Sequence, residues 1–217
     1  METQAIKIAL SHARIATYER AITARRCDIS CLQLYIWNAQ LSGAFLIPLH
    51  ICEVVIRNAV AQAIKLKYGP HWPCSQAFLK SLPSSPKSYN PKRDLKHVSH
   101  NTQTPDIVIP KLSFIFWQQM FTQRHLARLW EPHLGNVMPH LNKSKEIRAQ
   151  LKDIYSDLEI VRTLRNRIAH HEPIFTRDLE SDITRILNLI SYRCQTTADW
   201  TFKHQKVHQL LQSKPIP

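Results

Sequence analysis

Between residues 28 and 69 the apolar side chains recur at steps of three and four: Cys31, Leu34, Tyr35, then Leu41, Phe45, Leu49, Cys52, Val55, Ile56, Ala59 and Val60. That period predicts a helix with one buried face. Gly69-Pro70 supplies its end, a glycine free to reverse the backbone followed by a residue that cannot continue the helix. Pro48 stands inside the pattern and predicts a break or kink between Ser42 and Pro48. Upstream, Ile8, Ile15, Tyr18 and Ile22 predict a first helix. Residues 70–110 differ in texture. They hold seven of the thirteen prolines with Lys80, Lys87, Lys92, Arg93, Lys96, His97 and His100, and read as a long basic excursion containing one short helix. Helical spacing returns from about Ile107 to Trp130 through Leu112, Ile115, Phe116, Gln119 and Met120.

The clearest helix runs from about Lys145 to His171. Ile147, Leu151, Ile154, Leu158, Val161, Leu164 and Ile168 follow steps of 4, 3, 4, 3, 3 and 4, an almost unbroken apolar stripe. Pro173 disfavours helical geometry at Glu172 and predicts the end near His171. A further helix spans about Asp178 to Arg193, and a weaker one lies near Trp200 to Leu211. No Asn-Gly or Asp-Gly hairpin turn occurs, so the chain reads as all-α. Its 217 residues suit one helical domain, with the excursion as an appendage.

Composition narrows the chemistry. The three glycines, Gly43, Gly69 and Gly135, are far apart, so neither a dinucleotide fingerprint nor a phosphate-cradling loop can be written. Lysine and arginine number 29 against 16 acids, a formal net charge of +13, which points to a polyanionic partner and puts nucleic acid ahead of a membrane surface. Five cysteines, Cys27, Cys31, Cys52, Cys74 and Cys194, make an odd count that fits reduced thiols. Cys27 and Cys31 have no second Cys/His pair at finger spacing, and no His-Glu-x-x-His occurs, so no metal site is expected. Trp37, Trp117 and Trp130 fall on apolar faces and read as core, while Trp72 is open between core and base-stacking surface. With no secretory pattern, and with His50, Glu53 and Arg57 interrupting the longest apolar stretch, the expectation is a soluble cytoplasmic protein that does not engage a membrane.

Residues 164–175, LRNRIAHHEPIF, concentrate groups that handle phosphate. With Arg165 at 0°, Asn166 falls at about 100° and His170 at about 140°, whereas Val161, Leu164 and Ile168 lie between about −40° and −100°. Arg165, Asn166 and His170 therefore share the face turned from the apolar stripe. Asn166 and His170 are i,i+4 neighbours, a spacing at which the amide can orient the imidazole. A guanidinium grips phosphate oxygens and an imidazole moves protons, the two functions that metal-free RNA cleavage requires.

Arg165-Asn166 followed by His170 resembles the Arg-x4-6-His signature of HEPN ribonucleases, and RNRIAHHEPIF resembles the hallmark of the Abi-like abortive-infection family within that superfamily. Ser11, Arg14 and Tyr18 match that family's opening, LQLYIWNAQLSGAF its next helix, Glu53, Arg57 and Asn58 its Glu-x3-Arg-Asn motif, KYGPHW its turn, and KLSFIFW through LARLW its middle. The resemblance covers roughly residues 8–190; one departure is Ile115, where the family usually has glycine. It implies a HEPN-like helical bundle and metal-independent endoribonuclease activity without cofactor, in phage defence or as a toxin. It also implies a homodimer in which two copies of Arg165, Asn166 and His170 face one cleft. Glu53, Arg57 and Asn58 would form a supporting shell, and the i,i+4 spacing of Glu53 and Arg57 equally suits a purely structural ion pair. His171, at Arg-x5-His spacing, is an alternative to His170, with Glu172 adjacent. The implied partners are RNA, a second copy, and an antitoxin or other defence protein. The competing reading is a non-catalytic RNA-binding or partner-binding module of the same fold.

Overall fold

A computed structural model describes residues 2–25, 29–85, 88–100 and 104–215, and every regular element among them is helical. Cys27 and Lys87 lie outside the described residues. The first expected helix is two, α1 (Glu2–Leu10) and α2 (His12–Arg25), parted at Ser11, whose φ is 72°. The reason is burial: α1 buries no side chain, whereas α2 turns Ile15 and Tyr18 into the core.

The axis of the structure is α3 (Cys31–Tyr68), 38 residues long. Ser30 accepts from Gln33 N while the Gln33 side chain accepts from Ser30 N, a reciprocal cap. The helix ends as its sequence predicts, at Gly69 with φ 85°. Of the break or kink expected between Ser42 and Pro48, the break does not occur, since α3 runs as one helix through both residues. A proline within a helix costs about 3 kcal/mol. Here Pro48 lies on the buried face with Leu41, Phe45, Leu49 and Cys52, each worth about 1.5–3 kcal/mol when buried, so packing holds the helix continuous. By length and composition α3 also qualifies as a membrane span, contrary to the expectation that its polar interruptions exclude it. In this fold its apolar face serves as the spine of the core.

The basic excursion is more structured than its composition predicts. A 3₁₀ turn (Trp72–Cys74) precedes α4 (Gln76–Ser81), α5 (Pro91–Ser99) and α6 (Pro105–Val108). Pro91 and Pro105 open helices, where a missing N–H costs nothing. Trp72, Phe78, Leu82, Leu95 and Val108 enter the core, which places Trp72 with Trp37, Trp117 and Trp130 as packing residues.

The helix expected over 107–130 is broken. A 3₁₀ turn (Ile109–Lys111) leads to α7 (Phe114–Gln119), then a second 3₁₀ turn (Gln123–His125), a π turn (Leu126–Trp130) and α8 (Glu131–Val137). Pro110 and the restart at Ser113 interrupt it, yet Leu112, Phe116, Met120 and Trp130 still reach the core. Trp130 stacks on Phe121 with centroids 4.6 Å apart and donates from Nε1 to Met120 O at 2.6 Å.

The apolar stripe predicted for the last third is α9 (Ile147–Ala169), with Leu151, Ile154, Leu158, Val161, Leu164 and Ile168 buried. Asp178 caps α10 (Leu179–Arg193), which packs along α3. The expected terminal helix is two, α11 (Gln195–His204) and α12 (Val207–Gln212), and Trp37 Nε1 ties α3 to α12 through Leu210 O at 2.9 Å.

Burial, reinforced by Arg128 and Arg124, pulls His125 down to about 4. An unfolded histidine titrates near 6.5, so between these values the unfolded chain takes up a proton that the native state refuses. Stability should therefore fall by about 3 kcal/mol as pH drops from above 6.5 to 4. Urea unfolding of wild type and His125→Phe across this range should show the variant's midpoint falling less steeply; parallel curves would refute this assignment.

Candidate active site

The exposed face of α9 ends in a turn that three constraints hold in place. His170 N donates to Asn166 O at 2.9 Å, His171 N to Ile168 O at 3.0 Å, and Glu172 N to Arg167 O at 2.8 Å. The last two form the paired capping bonds in which glycine usually occupies the left-handed position. Here the residue is His171, with φ 55°. A side chain in that region costs about 1–2 kcal/mol. The second constraint is Arg14 on α2, whose Nη1 donates to His171 O. The third is Asn38 on α3, buried, whose Oδ1 accepts from Ile174 N at 2.8 Å and Phe175 N at 3.1 Å just after Pro173.

On this turn Arg165 and His170 are exposed and Asn166 is partly exposed, as the helical angles predict. The expected amide–imidazole hydrogen bond is absent. Asn166 Oδ1 instead accepts from Arg165 Nη1 at 3.4 Å, which orients the arginine rather than the histidine. Glu172 folds back toward Arg167, Oε2 to Nε 3.4 Å. His171 lines a groove of about 360 Å³ with Tyr18, Tyr35, Asn38, Gly43 and Leu46. Burial pushes Tyr18 up to about 12, so its hydroxyl stays protonated there.

The supporting set from α3 is divided. Glu53 pairs with Arg165 across helices, Oε2 to Nε 4.0 Å, and not with Arg57. The spacing rule correctly puts Glu53 and Arg57 on one side of α3; it does not say which neighbouring helix that side meets. Half-exposed pairs of this kind are worth at most about 1 kcal/mol, so the contact positions Arg165 more than it stabilises the fold. Arg57 makes no ion pair or hydrogen bond among the described residues, and its Nε is buried without a partner, so its donors remain free. Asn58 is separated from this set. It lies about 140° from Glu53 around α3 and lines a different cavity with Lys65, His71 and Trp72.

The structure thus brings Glu53 and Asn166 to Arg165, sets His170 at the cap of the same helix with its backbone N–H on Asn166 O, places Arg57 one turn along α3 from Glu53, and puts Asn58 on another side of α3. Arg14 and Asn38 are the additions. Arg14 was singled out only through the family's opening motif, and Asn38 only as one letter in a matched helix. An exposed guanidinium on the last turn of α9 and an exposed imidazole at its cap are the groups that can hold a phosphodiester and exchange a proton with it. Among the described residues, no three His, Cys, Asp or Glu side chains converge on a point where they could hold a metal ion. No protein-family model, curated protein or solved structure matches the chain.

Replacing His171 with glycine should relieve the left-handed backbone and raise stability by about 1 kcal/mol, whereas valine should lower it by at least as much. Denaturant midpoints of the two variants check this; equal midpoints would place the strain elsewhere.

Proposed function

We propose that the chain is a metal-independent endoribonuclease of the HEPN type, acting in the cytoplasm as a phage-defence protein or toxin. The observation that carries this reading is the solvent-facing Arg165, Asn166 and His170 on a helix end held by Arg14 and Asn38. Exposed side chains on a merely solvated face need no such support, but a site that must keep its geometry does. The formal charge of +13 supplies the attraction for RNA.

In this mechanism Arg165, steadied by Asn166 and Glu53, binds the non-bridging phosphate oxygens and stabilises the charge that builds on phosphorus. His170 accepts the 2′-OH proton as that oxygen attacks phosphorus. The P–O5′ bond breaks, a proton passes to the departing 5′-oxygen, and the products are a 2′,3′-cyclic phosphate and a 5′-hydroxyl. One set of groups addresses one side of the phosphate, so the active unit is a homodimer whose second copy serves the other side. Exposed Ile36, Leu46 and Ile47 on α3 support that assembly, because Leu46 shares its groove with Ile168, Ala169 and His171 at the end of the motif helix. An apolar face beside the motif is where a second copy would bring two motifs together. An antitoxin or other defence partner would restrain the activity in the cell.

His170→Ala should lower RNA cleavage by about 10²–10⁴-fold and abolish growth arrest, while wild-type cleavage persists in excess EDTA and leaves cyclic-phosphate ends. End-labelled RNA digests read all three. Cleavage by His170→Ala at the wild-type rate, or activity restored only by magnesium, would overturn the proposal. RNA bound but never cut would favour the non-catalytic module. Leu46→Arg changes an exposed side chain, so the protomer's melting should shift by no more than about 0.5 kcal/mol. Sedimentation should nevertheless show a monomer, with cleavage reduced in parallel; a monomeric wild type that is fully active defeats the dimer.

A further inference from the structure

The face of α9 that carries Asn166 runs back through Arg162, Glu159, Tyr155, Lys152 and Arg148 at steps of four, three, four, three and four. These six side chains fall within about 80° around the axis, and the stripe is about 27 Å long. Its far end opens into a groove of about 310 Å³. Phe121, Leu126 and the Tyr155 ring line it with apolar surface, and Arg148 and Lys152 line it with charge. Two cations one turn apart repel by about 0.2–0.5 kcal/mol, and no acid relieves them. With the Gln123 amide turned so that its oxygen faces the guanidinium, Arg148 donates to this neutral group from Nη2 at 2.6 Å and Nε at 3.1 Å. Lys152 makes no ion pair among the described residues. Three acids of the same helix are engaged by other cations: Asp153 by Lys145, Asp157 by Arg185, and Glu159 by Arg162. Gln119 Nε2 donates to the Tyr155 hydroxyl at 3.1 Å, which leaves the phenolic proton free to be donated.

We propose that this groove is a second nucleotide subsite for the single-stranded RNA whose scissile phosphate lies at Arg165. A base packs on Leu126 and the Tyr155 ring over the buried Phe121, and the adjoining phosphate is held by Arg148 and Lys152. Apolar contact beside unpaired cations is the combination that binds an unstacked nucleotide, whereas an acidic peptide would need only the cations. The shared stripe sets the strand's course, from the groove along α9 to Asn166. The proposal rests on the ribonuclease reading, and it makes substrate length a determinant of binding.

The test uses the full chain carrying Arg148→Ala and Lys152→Ala together, with a labelled single-stranded RNA of about 12 nucleotides followed by fluorescence anisotropy across salt concentrations. The dissociation constant should rise about 10-fold, and the slope of log K against log salt should flatten by about 0.7–1.4. In cleavage, KM for the long RNA should rise with kcat unchanged, while a dinucleotide is cut as by wild type. The swap Arg148→Lys with Lys152→Arg should restore the wild-type slope, which separates lost charge from lost folding. An unchanged slope and dissociation constant in the alanine variant would overturn the proposal. So would unchanged RNA binding accompanied by lost binding of an oligoglutamate peptide, the result that would make the groove a protein-docking site. Wild type that binds RNA with the expected slope yet never cuts it would sink the ribonuclease reading alone, because anisotropy still reads the subsite.

Discussion

One buried amide oxygen governs the geometry of the motif turn. Asn38 Oδ1 takes two backbone N–H groups, those of Ile174 and Phe175, at the point where the chain leaves α9 and cannot remain helical because of Pro173. Each donor left unsatisfied in that setting would cost about 1–3 kcal/mol, so the contact is worth more than any ion pair near the motif. It comes from the third turn of α3, which means that the spine of the core and the exit of the motif helix cannot move independently. Arg14 adds a hold on the carbonyl of His171 from a third helix. The exposed groups of the turn inherit this rigidity without being buried themselves.

The electrostatics divide along similar lines. Much of the acid in the last third of the chain is engaged within the fold: Asp182 holds Arg177 through two hydrogen bonds, Asp157 meets Arg185, and Glu159 takes both Arg162 and Gln118. The cations left over are then free to set the sign of the surface field. Exposed unpaired cations such as Arg148 and Lys152 are screened by solvent, which limits what a formal charge of +13 costs the fold.

Much of the fold was legible from residue spacing. The stripe of α9 and the stop at Gly69-Pro70 follow from local rules, and the structure keeps both. Where spacing misled, the cause was packing. Pro48 predicts a break only if nothing opposes it, and the buried face of α3 does. Over 107–130 the average period persists through four interruptions, because each short turn restarts in a phase that again buries its apolar residues. Of the candidate site, the exposure of Arg165, Asn166 and His170 was readable from angles around one helix. The pairing of Glu53 with Arg165 was not, since spacing within α3 carries no information about its neighbours. Nor was the role of Asn38, whose partners lie 136 and 137 residues downstream.

That last separation bears on how the protein comes into being. Contacts between residues so distant in sequence form only after most of the chain has been made and the intervening loop closed, an entropic cost that short-range helix formation does not meet. During synthesis α2 and α3 emerge and can become helical long before residue 175 exists. Until then Asn38 has nothing to hold and the motif turn has no defined shape. A truncated or stalled chain is therefore blank at this site, and the geometry arrives as a late step, once Ile174 and Phe175 can dock on a core already assembled. For a basic protein made beside abundant RNA, the order of folding itself separates the growing chain from the finished one.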